Sequence, residues 1–332
     1  MKVMIVTDAW SPQVNGVVTT LGKIGDGLRD LGHEARFLTP QGFRSIPCPT
    51  YPEIRLSLLP FAGVSQEIEA FAPDAVHIAT EGPLGMAARR YCLARKLAFT
   101  TAFHTRFAEY VHARIRIPVD WTYRWLRGFH APSRAVMVPT PSVRRDLQAR
   151  GFANTVDWTR GVDTETFCPG ERDHLTDTPP IFLYVGRVAV EKNLEAFLEL
   201  DLPGSKWVVG EGPLRAALER KYPGVRFEGI KTPAELARYY RAADVFVFPS
   251  LTDTFGLVML EALACGTPVA AFPVPGPLDV IGDSGAGVLH EDLAFACLGA
   301  LNISRDKARR YAEQFSWCAS VEQFVRNLTP IR

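Results

Sequence analysis

The sequence predicts an α/β protein built from two doubly wound, parallel-sheet domains. Three observations carry this reading. Apolar runs of strand length alternate with amphipathic segments of helix length from end to end, and strands separated by helices form parallel sheets covered on both faces. The alternation starts afresh near residue 180. The length of 332 residues suits two domains of about 100–200 residues each. Hydrophobic residues make up 47% and charged residues 22% of the chain, a globular balance that excludes disorder as the general state.

In chain order, strands are expected at Val3–Thr7, Ala35–Thr39, Ala75–Ile78, Phe99–Phe103 and Val136–Pro139. A second series follows at Ile181–Val185, Trp207–Val209, Val225–Phe227, Val245–Phe248 and Val269–Phe272. Helices are expected at Gly16–Leu31, Leu84–Leu97, Leu214–Tyr222 and Ala234–Ala243, with a last one near Ser320–Leu328. The polar stretch Phe167–Pro180, with Pro169, Gly170, Pro179 and Pro180, reads as a linker. One domain is therefore placed at residues 1–170, a second at 175–315, and a terminal helix within 316–332.

Lys and Arg number 37 against 36 Asp and Glu. A net charge of +1 gives no global signal for nucleic acid. No apolar run reaches the roughly 20 residues that span a bilayer. The opening MKVMIVTDAW has too short an apolar core for a signal peptide and reads as a buried strand, so a cytoplasmic protein is expected. The six cysteines show no CxxC and no zinc spacing and are expected as reduced, buried thiols. The seven histidines are dispersed, so no metal site and no cofactor is expected.

Ligands of doubly wound sheets bind at the C-terminal strand edges, and four such edges carry unusual residues. After the first strand, a loop through Pro12 and Asn15 reaches Gly16 at a helix start, where backbone N–H groups favour anions. Neither GxGxxG nor GxxxxGK[ST] is present, and taken alone the loop reads first as a plain helix-entry turn. After Phe182–Val185 come Gly186, Arg187 and Lys192, with a helix starting near Asn193. These cations suit phosphate, and solvated surface charges are the alternative. After Val245–Phe248 the chain reads PSLTDTFGLVMLEALACG. Asp253 and Thr254 are candidate helix caps, Gly256 allows close approach, and Glu261 sits in an otherwise apolar helix, where a carboxylate needs donors. A Glu on the wet face, or paired with Arg, remains open. His104 follows the Phe99–Phe103 strand, and its structural and functional readings stand level. Gly210-Glu211-Gly212-Pro213 fits a tight turn and is given a peripheral role. Taken together, Arg187, Lys192 and helix N-termini suit an anion while Asp253 and Glu261 suit hydroxyls, which points to a nucleotide-sugar.

The segments TDAWSPQVNGVV, FHTRF at 103–107, VGRVAVEKN at 185–193, GEGP at 210–213 and SLTDTFGLVMLEALACGTPV at 250–269 resemble, over nearly the whole chain, a retaining GT-B glycosyltransferase of glycosyltransferase family four. The resemblance implies that Arg187 and Lys192 bind the donor diphosphate, with Gly16 close to it. It implies that His104 lies by the donor sugar and takes part in catalysis. Asp253 would meet sugar hydroxyls and Glu261 the nucleotide ribose, Asp standing where the family has a Glu one methylene longer. The donor-binding set is then Gly16, Gly186, Arg187, Lys192, Asp253, Phe255, Gly256, Leu257 and Glu261, and the catalytic set His104, Arg187 and Lys192. The terminal helix would cross back to the N-terminal domain. Transfer would keep the anomeric configuration and need no metal. Where relatives tend to have Asn-Gly-Val-Asp, this chain has Arg160-Gly161-Val162-Asp163.

The stretch from Arg89 to Arg134 holds ten cations and only two acids, Glu109 and Asp120, among Trp121, Tyr123, Trp125 and Phe129. Cations beside aromatics suit an anionic membrane surface; a solvated basic face over an aromatic core is the plainer alternative. Arg114, Arg116, Trp121, Arg124, Trp125 and Arg127 are the candidate acceptor and membrane residues. The expectation is peripheral association with the inner face of the cell membrane and a lipid acceptor such as diacylglycerol, the donor being a UDP-sugar or a GDP-sugar. Alternatives are a soluble retaining transferase acting on a polysaccharide or small molecule, and a non-catalytic nucleotide-sugar-binding protein.

Overall fold

Strand β1 (Lys2–Val6) is buried from Val3 onward. A strand buried on both faces needs cover on both faces, and the chain supplies it by alternating strand and helix. A computed structural model describes residues 1–13, 15–48 and 51–331, apart from the side chains at 51–53 and 113–115. After β1 come α1 (Gly16–Asp30), β2 (Glu34–Leu38), β3 (Ser45–Cys48), β4 (Tyr51–Ser57), α2 (Phe61–Phe71), β5 (Ala75–Ile78), α3 (Pro83–Ala94), β6 (Thr100–Ala102), α4 (Phe107–Ile115), α5 (Val119–His130), β7 (Val136–Val138), α6 (Pro141–Ala149) and β8 (Thr155–Asp157). The series resumes with β9 (Ile181–Val185), α7 (Glu195–Leu198), β10 (Ser205–Val209), α8 (Arg215–Lys221), β11 (Arg226–Glu228), α9 (Pro233–Ala242), β12 (Val245–Phe248), α10 (Leu257–Ala264), β13 (Val269–Ala271), α11 (Pro275–Val280), β14 (Gly287–Leu289), α12 (Leu293–Ala300), α13 (Arg305–Ala312) and α14 (Trp317–Asn327).

The strands form two parallel six-stranded sheets and the β3-β4 hairpin. The first sheet runs β2-β1-β5-β6-β7-β8 and the second β11-β10-β9-β12-β13-β14. In the first, the chain leaves β1 on one side for β2 and later returns on the other as β5. In the second, the same reversal falls between β9 and β12. Helices leave such a pair of strands in opposite directions, which opens a crevice at their C-terminal ends.

The chain divides into two units, Met1–Arg160 with Trp317–Arg332, and Gly161–Ser316. The break therefore lies at Arg160–Gly161 and not near residue 170. Val162 N donates to the Phe315 carbonyl at 3.1 Å, and Val162, Phe167 and Leu175 sit in the second unit's core. Phe167–Pro180 is irregular and mostly exposed, as a linker would be, but it lies within the second unit, where Phe167 and Leu175 anchor it and Arg241 donates to the Cys168 carbonyl at 2.7 Å. Helix α14 packs in the first unit. Ser320 Oγ donates to the Thr159 carbonyl at 2.8 Å, and the Phe324 and Trp158 rings lie 5.1 Å apart.

Strands β3, β4, β8 and β14 were not expected from the sequence. The hairpin carries Pro47 and Pro52, and β8 and β14 are three-residue edge strands with little burial, too short for periodicity to announce. Cys92, Cys265 and Cys297 are buried thiols, each pushed up to about 12 by burial, whereas Cys318 is exposed. Among the described residues no helix is long and apolar enough to cross a membrane.

Candidate functional site

In the second unit, the β9–β12 reversal gathers most of the donor-site candidates. Strand β9 ends at Val185 and the chain turns through Gly186 at φ 151. A Cβ on Gly210 would stand 2.0 Å from the Gly186 carbonyl oxygen, and one on Gly212 2.2 Å from the Val188 carbonyl oxygen. The β9 and β10 exits therefore run against each other backbone to backbone, joined by Val188 N to the Glu211 carbonyl at 2.9 Å. The Gly210-Glu211-Gly212-Pro213 turn thus packs against the β9 exit from the β10 side.

The helix expected near Asn193 begins later. One 3-10 turn covers Val190–Lys192, Asn193 takes φ 53, and α7 starts at Glu195. The short turn is pinned because Asn193 Nδ2 donates to the Pro249 carbonyl at 3.1 Å. That bond ties the β9 exit to the β12 exit and brings Lys192 Nζ to 2.5 Å from Asp253 Oδ1, with 18% and 15% of the two side chains exposed. Asp253 Oδ2 is buried with no hydrogen-bond partner among the described residues. Asp253 and Thr254 do not cap α10, as the sequence suggested; the N-cap is Gly256 at φ 87, with no side-chain cap bond. Held by Lys192, Asp253 cannot fold back onto the helix. Phe255 points into the core and Leu257 packs against it, so Phe255 can meet a ligand only through its main chain.

Glu261, on α10, accepts a hydrogen bond from the Tyr240 hydroxyl at 3.0 Å. Burial raises its carboxyl to about 7, with the Tyr240 bond pulling the other way. Between its ordinary value and about 7, the folded chain keeps a proton that the unfolded chain has released. Stability therefore falls as pH rises through that window. Replacing the group by a neutral amide, as in Glu261→Gln, is expected to raise the melting temperature above pH 7 more than at pH 5. Equal shifts at both pH values would show that Glu261 does not titrate there.

In the first unit, Gly16 is exposed at the start of α1. Asn15 Oδ1 already accepts from Val17 N and Val18 N at 3.0 Å each, so the first amides of that helix are capped from within. At the β1–β5 reversal, the Asp8 carboxylate accepts from Leu84 N at 2.9 Å and from Gly85 N at 3.3 Å. It plugs the N-terminus of α3. His104, just past β6, receives Arg160 Nη2 at Nδ1, 3.3 Å away, and its ring meets Trp158 edge-on at 5.5 Å.

The basic stretch is partly neutralised by residues outside it. Arg106 pairs with Asp146 at 2.9 Å and Arg95 with Glu69 at 2.7 Å, while Arg89 donates to the Phe129 carbonyl at 2.8 Å. Arg90, Lys96 and Arg134 stay exposed elsewhere in the stretch, and one face of α5 points outward. Trp121 is 66% and Trp125 44% exposed, with Arg124 and Arg127 exposed beside them and Arg116 exposed just before the helix. The opposite face of α5 buries Tyr123, Leu126 and Phe129. The side chain of Arg114 lies outside the described residues.

The structure thus brings Lys192 to Asp253 and seats Glu261 on Tyr240 in the second unit. Gly16, His104 and the α5 residues lie in the first. Sequence reasoning missed Asn193, Tyr240 and Arg160. The first two are ordinary residues in their segments and gave no signal; Arg160 gave one, as a cation where relatives tend to carry Asn.

Two family models match the chain: "Glycosyltransferase Family 4" over residues 14–166 and "Glycosyl transferases group 1" over residues 179–302. A GDP-mannose-dependent alpha-mannosyltransferase of Mycobacterium tuberculosis is 31% identical over 318 residues, covering 87% of this chain and 83% of that protein. An alpha-monoglucosyldiacylglycerol synthase of Streptococcus pneumoniae is 27% identical, covering 99% and 84%. Among solved structures, a sucrose-phosphate synthase of Thermosynechococcus elongatus superposes with a TM-score of 0.75 at 20% identity, over 98% of this chain and 97% of that one.

Proposed function

The chain belongs to the glycosyltransferases, with a family 4 domain followed by a group 1 domain on two Rossmann-like units of the GT-B fold, and from that premise we propose that it moves a hexosyl group from a nucleotide-diphosphate sugar to a membrane-lipid hydroxyl, with retention of configuration. The observation that carries the donor reading is the Lys192–Asp253 pair at the β9–β12 reversal. It sets a cation for phosphate beside a carboxylate with a spare, buried oxygen for a sugar hydroxyl. Arg187 at the β9 exit adds a second cation, and Glu261 takes the ribose.

In the reaction, the bond from the anomeric carbon to the diphosphate oxygen breaks, and a bond from that carbon to the acceptor oxygen forms on the same face. The leaving phosphate oxygen takes the proton of the acceptor hydroxyl. Negative charge grows on the diphosphate, and Arg187 and Lys192 are fixed positive groups already in place for it. No divalent cation is called for.

The names of the relatives support a UDP-glucose-like or GDP-mannose-like donor and a lipid acceptor. The outward face of α5, with Trp121, Arg124, Trp125 and Arg127, has the aromatic and cationic character that binds anionic headgroups. A thermal-shift screen of UDP- and GDP-sugars, followed by transfer of the stabilising donor to diacylglycerol in anionic vesicles, tests the proposal. A ligand at about 100 times its Kd adds about 2.7 kcal/mol to folded-state stability. No stabilisation by any nucleotide-sugar would overturn the donor reading. Transfer to free sugars with no vesicle binding would overturn the lipid reading alone. Neutralising Arg116, Arg124 and Arg127 together is expected to weaken vesicle binding at least about tenfold, at about 1 kcal/mol per cation near an anionic surface; unchanged binding in cosedimentation would exclude α5 as the membrane face.

A further inference from the structure

Arg160 is only 3% exposed, and among the described residues no carboxylate pairs with it. A buried guanidinium without a counter-charge is costly and needs acceptors for its N–H groups. Nη1 donates to the Trp158 carbonyl at 2.6 Å and to the Thr159 carbonyl at 3.1 Å. The guanidinium carbon lies 4.1 Å from the centre of the Trp158 ring. Nη2 meets His104 Nδ1 at 3.3 Å.

That last contact fixes a chemical state. A guanidinium has donors and no acceptor. It can bond to an imidazole nitrogen only where that nitrogen carries a lone pair, so the ring proton of His104 sits on Nε2. Trp158 holds the ring plane: it meets His104 edge-on, packs against His77 at 5.9 Å, and rests on Phe324 of α14. Burial first, then the charges of Arg160 and His77, hold the imidazole well below its ordinary pKa.

We propose that Arg160 is a positioning residue that holds His104 as the Nε2–H tautomer, so that the ring presents a hydrogen-bond donor, not a base, to substrate. This rests on the reading of His104 as a substrate group under the proposed function. It agrees with a mechanism in which the acceptor's proton goes to the leaving phosphate, because a ring in this state with Nδ1 occupied has no lone pair to receive it. It also gives the Arg at this position a task that Asn, with a much shorter arm, would perform differently.

The test is a long-range proton–nitrogen spectrum of the full chain labelled at histidine, with His104 assigned by the signal missing in His104→Gln. A lone-pair-type shift at Nδ1 and an N–H-type shift at Nε2 are expected between pH 6 and 8. In Arg160→Met the two shifts should move toward each other as the tautomers mix, and Arg160→Lys should restore them in part. In that Met variant kcat is expected to fall about ten- to a hundredfold, as when a group orienting a functional histidine is lost, while the donor KM stays within about threefold. A proton on Nδ1 in the unmodified protein would overturn the proposal, and needs no variant to fold. So would an Arg160→Met spectrum with both shifts unchanged. Failure of the unmodified protein to turn over any nucleotide-sugar would instead sink the transferase reading, with the ring state still read directly.

Discussion

Lys192→Ala is expected to lower kcat by about two to three orders of magnitude, the cost of removing one preorganised charge-stabilising group. The lysine holds two things at once. Its Nζ is one of the fixed cations proposed for the departing diphosphate, and it anchors Asp253 at 2.5 Å. Truncation removes the first and leaves the second as a crowded carboxylate where a negative ligand must bind. Donor affinity should therefore weaken as well, though less than turnover. Lys192→Arg keeps the charge but not the reach, and should fall between the two. Steady-state rates with the donor found by thermal shift measure all three proteins. A near-normal kcat in Lys192→Ala would remove Lys192 from the mechanism. The same chemistry predicts that a chelator leaves the rate of the unmodified enzyme unchanged; loss of rate restored by a divalent cation would show that the diphosphate is neutralised by metal instead.

The second large effect falls on stability. Asp8→Ala is expected to destabilise the first unit by roughly 2–6 kcal/mol, since two buried amides lose their acceptor at about 1–3 kcal/mol each. Asp8 takes hydrogen bonds from Leu84 N, Gly85 N and the Thr80 hydroxyl, the last at 2.9 Å. The fit is close: a Cβ on Gly82 would stand 2.4 Å from the Asp8 carboxyl carbon, and one on Gly85 1.9 Å from the Thr80 carbonyl oxygen. Burial raises the Asp8 pKa against the pull of these bonds. Asp8→Asn keeps one acceptor oxygen and should cost less. Urea unfolding followed by tryptophan fluorescence reads both variants, and an Asp8→Ala protein as stable as its parent would show that solvent replaces the carboxylate at α3.

Much of this was legible in the sequence because it is local. Strands β1, β5, β9 and β12 were visible as apolar runs bounded by turn residues. Gly186 and Gly256 marked places where only a residue without Cβ fits the backbone, and both take positive φ. Glu261 stood out as a carboxylate in an apolar helix, and its raised pKa follows from that burial. What the sequence missed was non-local or short. The β8 and β14 edges have too few residues for a period to show. The Phe167–Pro180 stretch is irregular and mostly exposed, as its prolines suggest, but the boundary between the units falls earlier, at Arg160–Gly161, because Val162 and Phe167 already bury their side chains in the second unit's core. The helix expected at Asn193 gave way to a bond with the Pro249 carbonyl, some 56 residues along the chain.

The order of buried and exposed segments, the two-sheet architecture and the positions where backbones must pass closely were written in hydrophobic period and glycine placement, which act within a few residues. Partnership between distant charges was not. That Lys192 meets Asp253, that Tyr240 meets Glu261 and that Arg160 sets the proton of His104 depend on which strand ends lie side by side. Packing decides this: burying a cation or a carboxylate is tolerated only where the fold delivers a partner from elsewhere in the chain.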